Sequence, residues 1–187
     1  MAIIAVAYHA SAMALLHLLA PQVDPVTEMV GAYLAGPHQL LARSTFLALA
    51  CALAFIWLPL AGGVGAGVLA RVALGLLAVA SAGFFGVAAA PEAARVLAAP
   101  TRPATVVSIL LLSVALRRQP RWRRLGGVLL PIGTALVTLF VLTVALGTVV
   151  SMGYGGLANR VVLALIDSWV VLVAAGTMTR HPGAGTA

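Results

Sequence analysis

Six apolar runs organise this chain, each close to the ~20 residues that a helix needs to cross the hydrocarbon core of a bilayer. They fall at residues 3–20, 40–60, 72–90, 101–116, 125–150 and 157–178 of 187. A backbone in lipid must satisfy its own hydrogen bonds, which leaves only helices and closed barrels. These runs are too long for barrel strands and show no alternation of apolar and polar residues, so helices are expected. Turn-forming residues mostly lie between them, at Pro21, Pro25, Gly36-Pro37, Gly62-Gly63, Pro91, Pro100, Pro120 and Gly155-Gly156. The expected fold is all-α: a polytopic membrane bundle of six transmembrane helices forming a single integral membrane domain over residues 1–187. The fourth run is the shortest, and the fifth is long enough to tilt.

Charge supports the same reading. Only 8% of residues are charged and the mean hydropathy is +1.12, against about 25% charged in soluble domains. The net charge of +7 comes from arginine alone, without lysine, a bias with alanine and leucine that suggests a bacterium of high genomic GC content. Arg117, Arg118, Arg121, Arg123 and Arg124 share one short loop between apolar runs, which marks a cytoplasmic side. Arg71 and Arg180 fall on that side too. Both termini are therefore expected in the cytoplasm, with the protein multi-pass in the inner (cytoplasmic) membrane. The basic balance is topological, so nucleic acid is not an expected partner. Cys51 is the only cysteine, which allows no intramolecular disulfide and suits a small packing residue. The first run lacks a basic leader and a cleavage site before a hydrophilic chain, so it is expected to be a retained span.

Ionisable groups are scarce enough to name. Asp24, Glu28, His38, Arg43, Glu92, Arg95, Arg102 and Arg160 gather at the helix ends away from the arginine-rich loop. Groups so placed cap helices, snorkel and pair with one another. Asp24 and Glu28 stand four apart and share a face if that segment is helical. Asp167 lies inside the last run, where a carboxylate is expensive and normally faces the interior with a partner. Arg160 lies on the same face about 10 Å away along a helix. His9 and His17 of the first run are candidate partners if the first and last helices touch. Such a pair either fixes helix register or supplies an acid for proton chemistry.

Other chemistry finds little support. There is no HExxH and no second cysteine, so neither metal nor cofactor is expected. The serines lack a nucleophile elbow, and the Gly62–Gly67 cluster lacks the Lys-Ser/Thr of a phosphate loop. Tyr33, Trp57, Tyr154, Arg160 and Trp169 are the candidate substrate-binding residues, the aromatic ones because their faces stabilise cations. Phe84-Phe85 are further candidate pocket residues, and Trp122 is an expected interface anchor. Gly83 and Gly86 suit close helix approach.

Two stretches carry a resemblance. One runs from Asp24-Pro25-Val26 through Tyr33-Leu34-Ala35-Gly36-Pro37; the other is Gly156-Leu157-Ala158-Asn159-Arg160 leading to Trp169. With the Arg-Arg-Gln-Pro-Arg-Trp-Arg-Arg loop, they resemble small six-helix bacterial membrane proteins of a domain of unknown function, distantly similar to DRAM and Sfk-type membrane proteins. Gly31-Ala32 and Ala90-Pro91-Glu92 depart from that pattern, which carries a serine and an acid, and Phe-Pro-Thr-Asp-Pro, at those places. In length and scarcity of acids the chain also resembles bacterial membrane-bound terpene cyclases. The resulting expectation is a membrane enzyme acting on a lipophilic prenylated substrate in secondary-metabolite biosynthesis, a metal-independent, proton-initiated terpene cyclase. Its candidate catalytic residues are Asp24, Glu28, His38 and Asp167. The alternatives are a non-catalytic lipid-binding or scaffold protein, and a small transporter using the intramembrane carboxylate.

Overall fold

The computed structural model describes residues 1–64, 67–145 and 152–178. Among them, six helices are long and apolar enough to cross a membrane, and no strand occurs. They are α1 (Ala2–Leu19), α2 (Gln39–Gly63), α3 (Val68–Ala89), α4 (Ala94–Arg118), α5 (Arg123–Phe140) and α6 (Gly155–Met178). Helices apolar on every side, with Leu18, Leu40, Leu58 and Phe85 fully on the outer surface, need hydrocarbon around them. The protein is a multi-pass membrane protein.

The spans agree with the apolar runs except at two places. α4 begins at Ala94 rather than at residue 101, and passes through Pro100 and Pro103. Each proline forfeits one helical hydrogen bond, yet the helix runs on through both, with Gly83 and Gly86 of α3 packed closely against its Thr101 and Leu97. α5 passes into a π-helical turn over Val141–Ala145, where the Thr143 hydroxyl donates to Leu139 O. Residues 146–150 of the expected fifth span, and Arg180, lie outside the described residues.

Each helix packs against its neighbours in sequence, and α6 returns to α1, so the six close into a ring. Small residues set the close approaches. A Cβ on Gly83 would overlap the Thr101 side chain, and one on Gly86 would stand 3.1 Å from Leu97 Cδ1, the α3–α4 contact expected of that pair. Backbone meets backbone at Gly126 on α5, where a Cβ would stand 2.6 Å from Arg117 Cα and 2.8 Å from Leu116 C.

The half of the ring toward the arginine-rich loop is solid. Leu53, Ile56 and Leu60 of α2, Ile109, Leu112 and Leu116 of α4, Leu129 of α5 and Val170 and Val173 of α6 are all buried there. Trp169 crosses the ring: it is fully buried, and its indole N–H donates to Ser113 Oγ on α4 at 3.1 Å. The opposite, distal half is hollow.

Candidate functional site

The distal hollow is a cavity of about 890 Å³. Five helices wall it. α2 contributes Phe46, α3 Phe84 and Val87, α4 Thr101, Arg102 and Thr105, α5 Phe140, and α6 Asn159, Val162 and Ile166. Its lining on α4 extends from Ala94 to Val106, about 18 Å at ~1.5 Å per residue. That is roughly half the ~30 Å hydrocarbon core. Ile166 reaches the bottom, one turn before Trp169. The mouth carries Glu28, Gln39, Glu92 and Arg95, all exposed.

The loop between α1 and α2 roofs the cavity with a 3-10 turn, Val30–Ala35, and Arg160 at the start of α6 holds it. The Arg160 guanidinium donates to Pro25 O at 2.9 Å, Glu28 O at 2.8 Å and Tyr33 Oη at 3.2 Å, and within its own helix to Gly156 O at 3.1 Å. Its Nε–H donates to His17 Nε2 at 2.6 Å. Since His17 Nε2 accepts, the imidazole proton sits on Nδ1, which donates to Met13 O. The His17 ring also meets the Tyr33 ring edge-on. Two backbone contacts complete the docking: Val30 N–H donates to Asn159 Oδ1 at 3.1 Å, and Leu157 N–H to Val26 O at 2.9 Å. Such proximity requires glycine at 156. A Cβ there would stand 2.5 Å from Glu28 O and 2.8 Å from both Glu28 N and Pro25 O, all backbone atoms.

Asp167 lies on a different seam. Its Oδ2 is 2.8 Å from His9 Nδ1, with side chains 14% and 3% exposed. The other oxygen, Oδ1, is buried without a hydrogen-bond partner among the described residues. α1 and α6 thus meet through two polar rungs, His9–Asp167 and His17–Arg160, as antiparallel helices in register require. Neither Asp167 nor His9 lines the cavity, although Leu163 and Ile166 beside them on α6 do.

The remaining candidates divide in the same way. Glu28 is at the mouth. Asp24 is exposed and turned into its own loop, accepting from Val26 N–H at 2.9 Å and the Thr27 hydroxyl at 2.8 Å. Those two bonds, the Val26 one foremost and helped by the charge of Arg160, hold its carboxyl below the ordinary value of 3.8. Asp24 is therefore ionised at neutral pH, the wrong state for a proton donor. His38 is the N-cap of α2 without a side-chain capping bond, and it is not among the lining residues. Tyr33 is buried as a partner of Arg160. The Trp57 indole N–H donates to Leu74 O at 3.0 Å, tying α2 to α3. Tyr154 is exposed ahead of α6. Of the aromatic candidates, Phe84 lines the cavity, while Phe85 faces outward.

The rim arginines are not paired as helix-end residues often are. Arg43 caps α3 instead, donating to Ala88 O at 2.7 Å and Ala89 O at 3.1 Å, where orphan carbonyls collect. Arg102 is half-buried in the cavity wall, and its guanidinium makes one hydrogen bond among the described residues, to Met29 Sδ at 3.6 Å. Sequence spacing gave no sign that Arg102, Thr101, Thr105, Asn159 and Phe140 would meet, since they come from three different helices. Among the described residues no cluster of three metal-ligating side chains occurs. No protein-family model, curated protein or solved structure matches this chain.

Proposed function

We propose that the distal cavity is the binding site of a lipophilic small molecule, in a protein of the cytoplasmic membrane whose arginine-rich end faces the cytoplasm. The cavity itself carries this reading. Its volume is within the ~300–1,000 Å³ typical of small-ligand sites, and its wall is mostly apolar with a few polar groups. The depth fits a molecule standing in one leaflet. Ala98 lines the wall without being fully buried, so Ala98→Trp fills the space at small cost to packing. Native mass spectrometry of the purified full chain then gives the test. Wild type retains a co-purifying or added lipophile and Ala98→Trp loses it; equal retention by both overturns the reading.

A proton-initiated cyclase is the second reading, favoured by one observation: Glu28 stands at the mouth of a hollow walled by Phe46, Phe84 and Phe140. Cyclisation of a prenyl chain needs an acid beside a dry, π-lined space. Asp24 is ionised and Asp167 is engaged by His9, which leaves Glu28 and Glu92 as the acids open to the cavity. Turnover of a prenylated substrate by wild type, abolished in Glu28→Gln with lipophile retention intact, supports catalysis. Retention without turnover leaves a binding protein.

A further inference from the structure

Arg102 is the one charged side chain on the described cavity lining that is not exposed. A guanidinium carries five N–H donors and has no acceptor role. Among the described residues its one hydrogen bond is to a thioether, a weak acceptor, at 3.6 Å. Neither Glu28 nor Glu92, the two acids on the lining, comes within 4 Å of it. A half-buried arginine among apolar walls is costly unless an oxygen acceptor completes it. Asn159 adds a donor. Its carbonyl oxygen is occupied by Val30 N–H, which leaves its amide NH₂ without an acceptor among the described residues. The hydroxyls of Thr101 and Thr105 already donate to their own helix. The inner polar groups of the cavity therefore offer N–H donors and one positive charge.

Building on the cavity as a lipophile site, we infer that its ligand is a single-tailed amphiphile with one anionic head, bound by Arg102. Three observations set that class. The fork of Arg102 matches the paired oxygens of a carboxylate or a phosphate. Glu28, Glu92 and Arg95 stand exposed at the mouth while Arg102 is half-buried two turns along α4, so the guanidinium is the lining charge that water answers least. Below Arg102, Phe140, Val106, Leu163 and Ile166 form a slot that reaches about mid-bilayer and suits an apolar tail.

Competition against radiolabelled palmitate on the full chain in detergent tests this, using hexadecanol and hexadecyl phosphate as competitors. Loss of a charge-assisted pair weakens binding about ten- to a hundredfold. Unlabelled palmitate is accordingly expected to compete at least tenfold better than hexadecanol on wild type, with that preference gone in Arg102→Gln and partly kept in Arg102→Lys. A phosphate stronger than palmitate identifies a phosphate head, and the reverse a carboxylate; both are anionic heads. Palmitate and hexadecanol competing equally on wild type overturns the inference even if Arg102→Gln does not fold, and so does a preference that survives in a folded Arg102→Gln. Absence of specific binding by all three probes counts against the cavity as a lipophile site altogether.

Discussion

Replacing Arg160 by methionine keeps an apolar stem of similar reach and removes every guanidinium contact to the cavity roof. Five contacts disappear: to His17 Nε2, Pro25 O, Glu28 O, Gly156 O and Tyr33 Oη. Hydrogen bonds from a charged donor contribute about 1.5–3 kcal/mol each, but not additively. The carbonyls of Pro25 and Glu28 belong to exposed residues and regain water, and Gly156 lies on the helix of Arg160 itself. Counting only the contacts to His17 and Tyr33, at the low end, gives about 3 kcal/mol. At ~1.4 kcal/mol per factor of ten, the docking equilibrium of the loop shifts about a hundredfold. Hydrogen exchange in lipid nanodiscs reads this directly at the Val30 and Leu157 amides, whose acceptors lie across the loop–α6 contact. Their protection is expected to fall about a hundredfold, while amides in the middle of α2 and α4 stay unchanged. Protection at both positions within threefold of wild type would refute Arg160 as the clasp. Tyr33→Phe, which removes one of the two counted acceptors, is expected to give about half of the free-energy effect, roughly a tenfold fall.

Other consequences can be measured independently. Gly126→Ala forces a methyl onto the backbone of Arg117 and is expected to lower stability by about 1–3 kcal/mol or more; Gly127→Ala, with nothing within 4 Å, is the neutral control in detergent unfolding. Gly156→Ala meets the backbone of Glu28 and Pro25, and is expected to undock the loop even with Arg160 present, seen as lost Leu157 protection. At the His9–Asp167 rung, removing one partner strands a buried polar group, at a cost of about 3–5 kcal/mol. His9→Leu combined with Asp167→Leu is therefore expected to unfold later than either single variant; a double variant weaker by the sum of both would refute the pairing. The folded-state value of Asp24 is lowered, so its contribution to the loop is complete above the ordinary 3.8 and lost as pH falls through the lower folded value. Acid titration of the Val26 amide by NMR is expected to reach its midpoint below 3.8; a midpoint above it contradicts the turn.

Most of the fold was legible because hydropathy is a local property. The runs around Leu53, Leu77 and Val173 announce helices without reference to anything else in the chain. Asp167 required a partner for the same reason, and His9 and His17 were the candidates, though spacing left open which one met it. The start of α4 was hidden because Pro100, Pro103, Arg95 and Arg102 read as a boundary, while the packing of α3 against Leu97 and Thr101 acts only once both helices exist. The cavity was not legible at all. It exists because five helices stay apart where Trp169 and the leucines no longer fill the ring, and no single segment records that gap. Trp57 and Trp169 drew attention as rare aromatics, yet both use their indole N–H groups to bind neighbouring helices. Glu92, Arg95 and Arg102 read as ordinary membrane-edge residues, and only the convergence of α4 with the first loop sets them around a hollow.

The two-rung seam between α1 and α6 bears on how the molecule is made. The partners of His9 and His17 lie 158 and 143 residues further along the chain, on α6. Until it arrives, two imidazoles on the first helix have no carboxylate and no guanidinium to meet, while the other four helices can already pair one after another. Until α6 docks, the other five helices form an open horseshoe whose free edge is polar, and α6 fits that edge by charge as well as shape. A chain halted before Gly155 would expose that edge to the lipid.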